Sequence, residues 1–218
     1  LYDRCVNYHS LGARFAKWRA VITIGDGIPT DDCIRGNASA LAKYAKVCQD
    51  AELVPIVEPE VLMDGDHTIE TCYEVSEKTF NTVFEELENE GVYLPGILLK
   101  PNMVISGKDC PVQGDMNTVA ERTVKCLKAS VPEDVPGIVF LSGGQSETEA
   151  TEHLNAMNAM GVCPWALSFS YGRALQQSAL RAWGGDNANL ETTYATFYHR
   201  AEMNSKACNG EYSPELEI

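Results

Sequence analysis

Lys100 directly follows Ile97-Leu98-Leu99, a continuously apolar run of strand length, where a side chain is expected to be buried. An ammonium buried without a partner is costly and tends to lose its proton more easily. An amine that is partly neutral at working pH attacks a carbonyl and forms a Schiff base, and a second cation such as Lys17 favours the neutral form further. Glu58 and Glu60 stand two residues apart in Pro55-Ile56-Val57-Glu58-Pro59-Glu60, so on an extended strand both carboxylates share one face. That arrangement suits a proton-transferring carboxylate with a supporting partner, and equally a pair of acceptors for Lys17 and Arg19; spacing alone does not say which glutamate is the acid or base.

Two further segments read as an anion cradle. Ser142-Gly143-Gly144 precedes a helix opened by Ser146-x-x-Glu149, a capping box, and Ser170-Tyr171-Gly172-Arg173 precedes a helix marked by Leu175, Ala179 and Leu180. Backbone amides freed by glycine at a helix start bind anions, and the planar guanidinium of Arg173 adds two parallel donors for a phosphate. Each glycine pair alone also fits a tight turn, but two successive strand ends of this kind match the phosphate site of many barrels. The four histidines are scattered without ligand spacing, so no metal is expected, and His67 reads as a turn or helix-cap residue. Trp18, Trp165 and Trp183 fall at apolar positions and are assigned to the core, while Asp31 and Asp32 complement a helix dipole.

The elements that position these residues alternate. Apolar runs at Ala20–Ile24, Leu53–Val57, Ile97–Leu99, Ile138–Leu141 and Trp165–Phe169 read as five buried strands. Between them, Ile34, Ala38, Leu41, Ala45 and Cys48, then Ile69, Tyr73, Phe80, Val83 and Leu87, then Met116, Ala120, Thr123 and Leu127 recur at helical spacing. Gly91 marks a helix stop, and Leu190, Tyr194, Phe197, Ala201 and Cys208 form a last helix before a polar tail. A repeat of about 36 residues gives an α/β fold of parallel strands with helical crossovers, and no linker divides residues 1–218, a single domain. Leu1 to Ala16 also has helical spacing, but it opens without a cap or an entry loop.

The chain has 218 residues with 17 basic and 31 acidic side chains, a net charge of −14. This balance excludes a footprint for nucleic acid or for an anionic membrane surface, and no run approaches the 18 or so apolar residues of a membrane span. Eight cysteines without a CxxC pair read as free thiols of a reducing compartment, which places the protein in the cytoplasm.

Taken together, Ala16-Lys17-Trp18-Arg19, Val57-Glu58-Pro59-Glu60, Leu98-Leu99-Lys100-Pro101-Asn102-Met103, Leu141-Ser142-Gly143-Gly144-Gln145-Ser146 and Ser168-Phe169-Ser170-Tyr171-Gly172-Arg173 resemble class I fructose-bisphosphate aldolases, more the animal and plant type than the short archaeal one. The resemblance covers essentially the whole chain. It implies a TIM (β/α)8 barrel of which these are strands four to eight, with three N-terminal βα units missing. It implies catalytic roles for Lys100 as the imine-forming lysine, for Glu58 as general acid/base and for Lys17 and Glu60 as its charge partners. Ser142, Gly143, Gly144, Ser170, Tyr171, Gly172 and Arg173 would surround the C1 phosphate, and Arg19 would lie toward the C6 phosphate. No cofactor or metal is required; the partners are phosphorylated ketoses and triose phosphates, and the assembly is a homotetramer. The family's strand-one aspartate and strand-three lysine have no counterpart here, and Tyr212 is not assigned the role of the family's terminal tyrosine. Another lysine-imine aldolase or transaldolase, and a non-catalytic scaffold that kept the barrel, are the alternatives.

Overall fold

The computed structural model describes residues 1–161 and 163–217. Five parallel strands, β1 (Phe15–Ile22), β2 (Val54–Val61), β3 (Leu98–Leu99), β4 (Gly137–Phe140) and β5 (Ala166–Phe169), lie in one sheet in chain order. Parallel neighbours need a crossover, and α2 (Asp31–Asp50), α3 (Ile69–Asn89), α4 (Met116–Ser130) and α5 (Glu147–Ala159) supply the four. A short α1 (Tyr2–Ser10) precedes the sheet, and α6 (Arg173–Trp183) and α7 (Leu190–Cys208) follow it.

The helices begin where their caps place them. Thr30 accepts from the Cys33 amide at α2 and Thr68 from the Thr71 amide at α3, while Asp115 does the same for Thr118 at α4. At α5 the capping box is complete: Ser146 Oγ accepts from the Glu149 amide at 3.2 Å, and Glu149 Oε2 accepts from the Ser146 amide at 2.7 Å. Glu149 titrates low because its carboxylate accepts those donors. The apolar stripes of α2 and α3 face the sheet, where Leu41, Cys48, Phe80 and Leu87 meet Leu99, Ile138 and Phe140 in one continuous core. At the end of α3, Gly91 turns the chain with φ +68° and lets the Val92 amide reach the Leu87 carbonyl.

Several boundaries differ from the pattern-based expectation. The helix of the first sixteen residues ends at Ser10, because Gly12 at φ +101° turns the chain and only Cys5 is buried. Phe15 instead starts β1, so Lys17 and Arg19 lie within a strand rather than beside one. Likewise β2 runs on to Val61, pairing residue by residue with β1, and carries Glu58 and Glu60 inside it. Apolar content misplaces both strands because the face opposite the helices is charged. Trp165 is buried and donates to the Pro132 carbonyl at 2.8 Å, but Trp18 and Trp183 are not core residues. Trp18 leans on Tyr44 of α2 with 6.0 Å between rings and is half exposed, on what is an edge strand among the described residues. His67 caps nothing, since Thr68 takes that role; its ring is buried with both nitrogens unpartnered, and burial pushes its pKa down.

The polar tail is fastened. Glu217 accepts from Arg200 Nη2 at 2.7 Å and Nη1 at 2.8 Å and from Tyr212 Oη at 2.9 Å, and lies 3.2 Å from His199 Nε2. Burial works against its charge, but these hydrogen bonds outweigh burial and hold its carboxyl below the usual range. The stabilisation is therefore present above the unfolded carboxylate pKa of about 4.3 and is lost as pH falls through the lower folded value. Thermal melts of the parent and of Glu217→Gln will show the largest gap near neutral pH, closing as the solution is acidified below about pH 4. Phe140→Ala, at a fully buried position, will lower unfolding stability by about 3–5 kcal/mol in urea titrations.

Candidate active site

Side chains on a strand alternate, so Lys17 and Arg19 share the face of β1 turned away from the helices, and Glu58 and Glu60 share that of β2. The two rows interlock. Lys17 Nζ donates to Glu58 Oε2 at 2.5 Å, and Arg19 Nε donates to Glu60 Oε2. The other oxygen of Glu58, Oε1, lies 3.1 Å from Lys100 Nζ. One carboxylate, 3 % exposed, thus stands between two ammonium groups. The hydrogen bond and charge of Glu60 push the Arg19 guanidinium pKa up, against some burial.

Lys100 is 8 % exposed and sits where β3 runs out; its amide still donates to the Val57 carbonyl at 2.8 Å, which fixes its backbone against β2. The next turn is braced by Asn102, whose side chain accepts from the Val61 amide at 3.0 Å and donates to Ser76 Oγ at 3.0 Å. Asn102 is a positioning residue that the sequence quoted only as part of a motif: a buried amide after a strand gives no periodic signal.

Lys100 and Glu60 open into a cavity of about 420 Å³, whose remaining wall includes Ser142, Gly143, Gly144, Ser170, Gly172 and Arg173. In the loop after β4 the backbone requires glycine at position 144, while the Met63 terminus crowds position 143 as well. A Cβ at position 143 would lie 2.2 Å from Met63 Cε, and one at 144, where φ is +77°, would lie 2.3 Å from Met63 Cγ. The two helix starts behind this wall differ. Ser146 and Glu149 close the start of α5 on itself, whereas α6 begins at Arg173 with Gly172 as its cap residue, which offers no side chain to its amides. Of the two, only the start of α6 thus has amides that no side chain caps.

Of the residues the sequence singled out, eight line the cavity: Glu60, Lys100, Ser142, Gly143, Gly144, Ser170, Gly172 and Arg173. Lys17, Glu58 and Arg19 connect to it through their partners Lys100 and Glu60. Tyr171 does not belong to it. Its ring is buried beside Phe169 and its hydroxyl donates to the Ala150 carbonyl at 2.8 Å, with burial raising its pKa well above the ordinary phenol. The motif put it next to Gly172, but it points into the core, one residue out of step with Ser170. Lys108 and Gln177 also line the cavity, and no sequence pattern set them apart; Gln145, quoted only within a motif, and the cap residue Ser146 line it too. Among the described residues no group of three His, Cys, Asp or Glu side chains could hold a metal ion, and no helix is long and apolar enough to cross a membrane.

An amine beside a carboxylate, with glycine loops and a guanidinium across a cavity, is a constellation for carbonyl chemistry on an anionic substrate. Residues 1–217 match the family described as Glycolytic, fructose-bisphosphate aldolase class-I. A probable fructose-bisphosphate aldolase class 1 of Xanthomonas campestris pv. campestris is 55 % identical over 97 % of this chain and 64 % of its own length. The cytosolic fructose-bisphosphate aldolase 4 of Arabidopsis thaliana is 50 % identical over 100 % of this chain and 56 % of its own length. Among solved structures, the Plasmodium falciparum fructose-bisphosphate aldolase, crystallised with TRAP and a small-molecule inhibitor, superposes with a TM-score of 0.96 at 50 % identity, over 97 % of this chain and 62 % of that one. The chain belongs to the class I fructose-bisphosphate aldolase family. Its five parallel strands are strands four to eight of that family's TIM (β/α)8 barrel. It spans between about 56 % and 64 % of the length of these relatives.

Glu58→Leu removes the carboxylate between two ammonium groups and leaves Lys100 buried with an unmatched charge. We expect a loss of about 3–5 kcal/mol in urea unfolding, against a smaller loss for Lys17→Met, whose ammonium is 40 % exposed.

Proposed function

We propose that the protein is a fructose-bisphosphate aldolase that cleaves fructose 1,6-bisphosphate reversibly to dihydroxyacetone phosphate and glyceraldehyde 3-phosphate, in glycolysis and gluconeogenesis. The observation that carries this reading is Lys100, buried 3.1 Å from the Glu58 carboxylate at one end of a cavity that also holds Arg173 and the uncapped start of α6. In its neutral form the Lys100 amine adds to the C2 carbonyl, giving a carbinolamine. Glu58, which has taken the proton that the Lys100 ammonium gives up on becoming a neutral amine, returns it to the C2 hydroxyl, which leaves as water, and a protonated imine remains. Glu58 then accepts the proton of the C4 hydroxyl. The C4 oxygen forms the new aldehyde, the C3–C4 bond breaks, and its electron pair passes to the imine as an enamine. Protonation at C3 and hydrolysis release dihydroxyacetone phosphate and restore Lys100.

Lys17 keeps the Glu58 carboxylate available for this proton traffic, and Glu60 sets the charge at the cavity wall. Ser142, Gly143, Gly144, Ser170, Gly172 and Arg173 hold the C1 phosphate, and Arg19 serves the C6 phosphate from the β1 side. The reaction uses no metal or cofactor. Residues 1–218 form one domain, and three further βα units close the barrel between β5 and β1, where both strand edges are free of partners among the described residues. The assembly is a homotetramer and works in the cytoplasm, a reading supported by eight free cysteines and by the relative named cytosolic.

Borohydride reduction of the full-length protein with dihydroxyacetone phosphate will add one labelled group at Lys100, read by peptide mass spectrometry. Lys100→Met will abolish the label. An unlabelled parent protein would overturn the reading in favour of a non-catalytic scaffold, and cleavage of other ketoses in preference to fructose 1,6-bisphosphate would favour a different lysine-imine enzyme.

A further inference from the structure

Lys108 stands on the loop between β3 and α4, and three backbone hydrogen bonds fasten that loop to the one between β2 and α3. The Gly107 amide donates to the His67 carbonyl at 2.8 Å, the Lys108 amide to Met63 at 2.8 Å and the Asp109 amide to Gly65 at 2.9 Å. Only glycine permits the approach, since a Cβ at position 107 would lie 2.3 Å from the Gly65 oxygen. Gln113 ties the same loop from the other side, donating to the Gly107 and Cys110 carbonyls, each at 2.9 Å. The main chain beneath Lys108 is therefore pinned.

Its side chain is not. Lys108 Nζ has one partner, Asp64 Oδ1 at 3.0 Å, and both side chains are about half exposed, at 48 % and 60 %. A pair this exposed to solvent is weak, so the ammonium transfers readily to a stronger anion. Lys108 lines the main cavity together with Lys100 and Arg173, and it also lines an adjoining pocket with Gly144 and Gln145. That double membership places it on the side of the cavity formed by the loop after β4.

We propose that Lys108 is a further substrate-binding residue, whose ammonium leaves Asp64 and donates to the phosphate group held by the glycine loop. The inference rests on reading this cavity as a sugar-phosphate site. Asp64 gives the residue a discriminating role. A ligand carrying one negative charge offers Lys108 little that Asp64 does not already provide, whereas a phosphate dianion offers more charge and three acceptor oxygens. The pair thus selects for doubly ionised phosphate, with Asp64 as the standing competitor.

The test is calorimetric titration of the full-length protein with inorganic phosphate at low salt, paired with steady-state kinetics on fructose 1,6-bisphosphate. Lys108→Met should weaken phosphate binding about tenfold, the size of one charge-assisted hydrogen bond, with the kinetic defect in KM rather than kcat. Lys108→Arg should recover most of the affinity. Asp64→Asn should not weaken binding, because it removes only the competitor. Phosphate affinity in Lys108→Met equal to the parent's would overturn the proposal. So would an Asp64→Asn variant as weak as Lys108→Met, which would make the pair a strut between loops. Should Lys108→Met fail to fold, the arginine and asparagine variants decide the question between them. Labelling at Lys100 is read separately: its absence would remove the aldolase reading, while the phosphate titrations still decide the role of Lys108.

Discussion

A single buried carboxylate organises the site. Glu58 is almost wholly withdrawn from bulk solvent, and the two ammonium groups on either side take the place of the solvent it loses. Lys100 in turn is tolerable inside the protein because Glu58 faces it. The arrangement requires three adjacent strands in fixed register, since Lys17, Glu58 and Lys100 come one from each. The order of the sheet is thus bound to the chemistry: separate β1 from β2, or β2 from β3, and one charge of the triad is buried without an answer.

Much of the machinery lies behind that triad. Asn102 joins the ends of β2 and β3 and reaches back to Ser76 on α3, so a helix on one face of the sheet helps fix the turn that follows Lys100. Met63 fills the space that side chains at 143 and 144 would need, so its side chain packs closely against the loop after β4. These contacts bring Glu60, Lys100 and the glycine loop after β4 to the wall of one cavity.

Which parts of this could be read from the sequence follows from what each part owes to periodicity. The helices of the sheet's outer face were legible because their apolar stripes and caps are local, and the strand order followed from the alternation of runs. The ends of β1 and β2 were not, because the polar row of each strand faces a charged interior, and a search for apolar runs stops where charge begins. The amine, the paired carboxylates and the glycine loops could be found because each breaks the apolar pattern, the carboxylates inside β2 and the others just past β3, β4 and β5. Tyr171 went astray for the opposite reason, as its motif neighbours point outward while its own ring continues the inward alternation. Lys108 gave no sign at all: a lysine in a polar loop looks like any other until the loop is seen fastened beside the cavity.

The unequal helix starts have a further consequence. Because α5 spends its first amides on its own Ser146 and Glu149 while α6 leaves its start to Gly172, the cavity carries a lasting electrical asymmetry. The start of α6 leaves amides that no side chain caps, whereas Glu60 and Lys100 are each paired with an opposite charge. On the proposed reading, the two phosphates of the sugar meet unequal walls, and the carbon that reaches the amine follows from its distance to the terminus lodged at the start of α6.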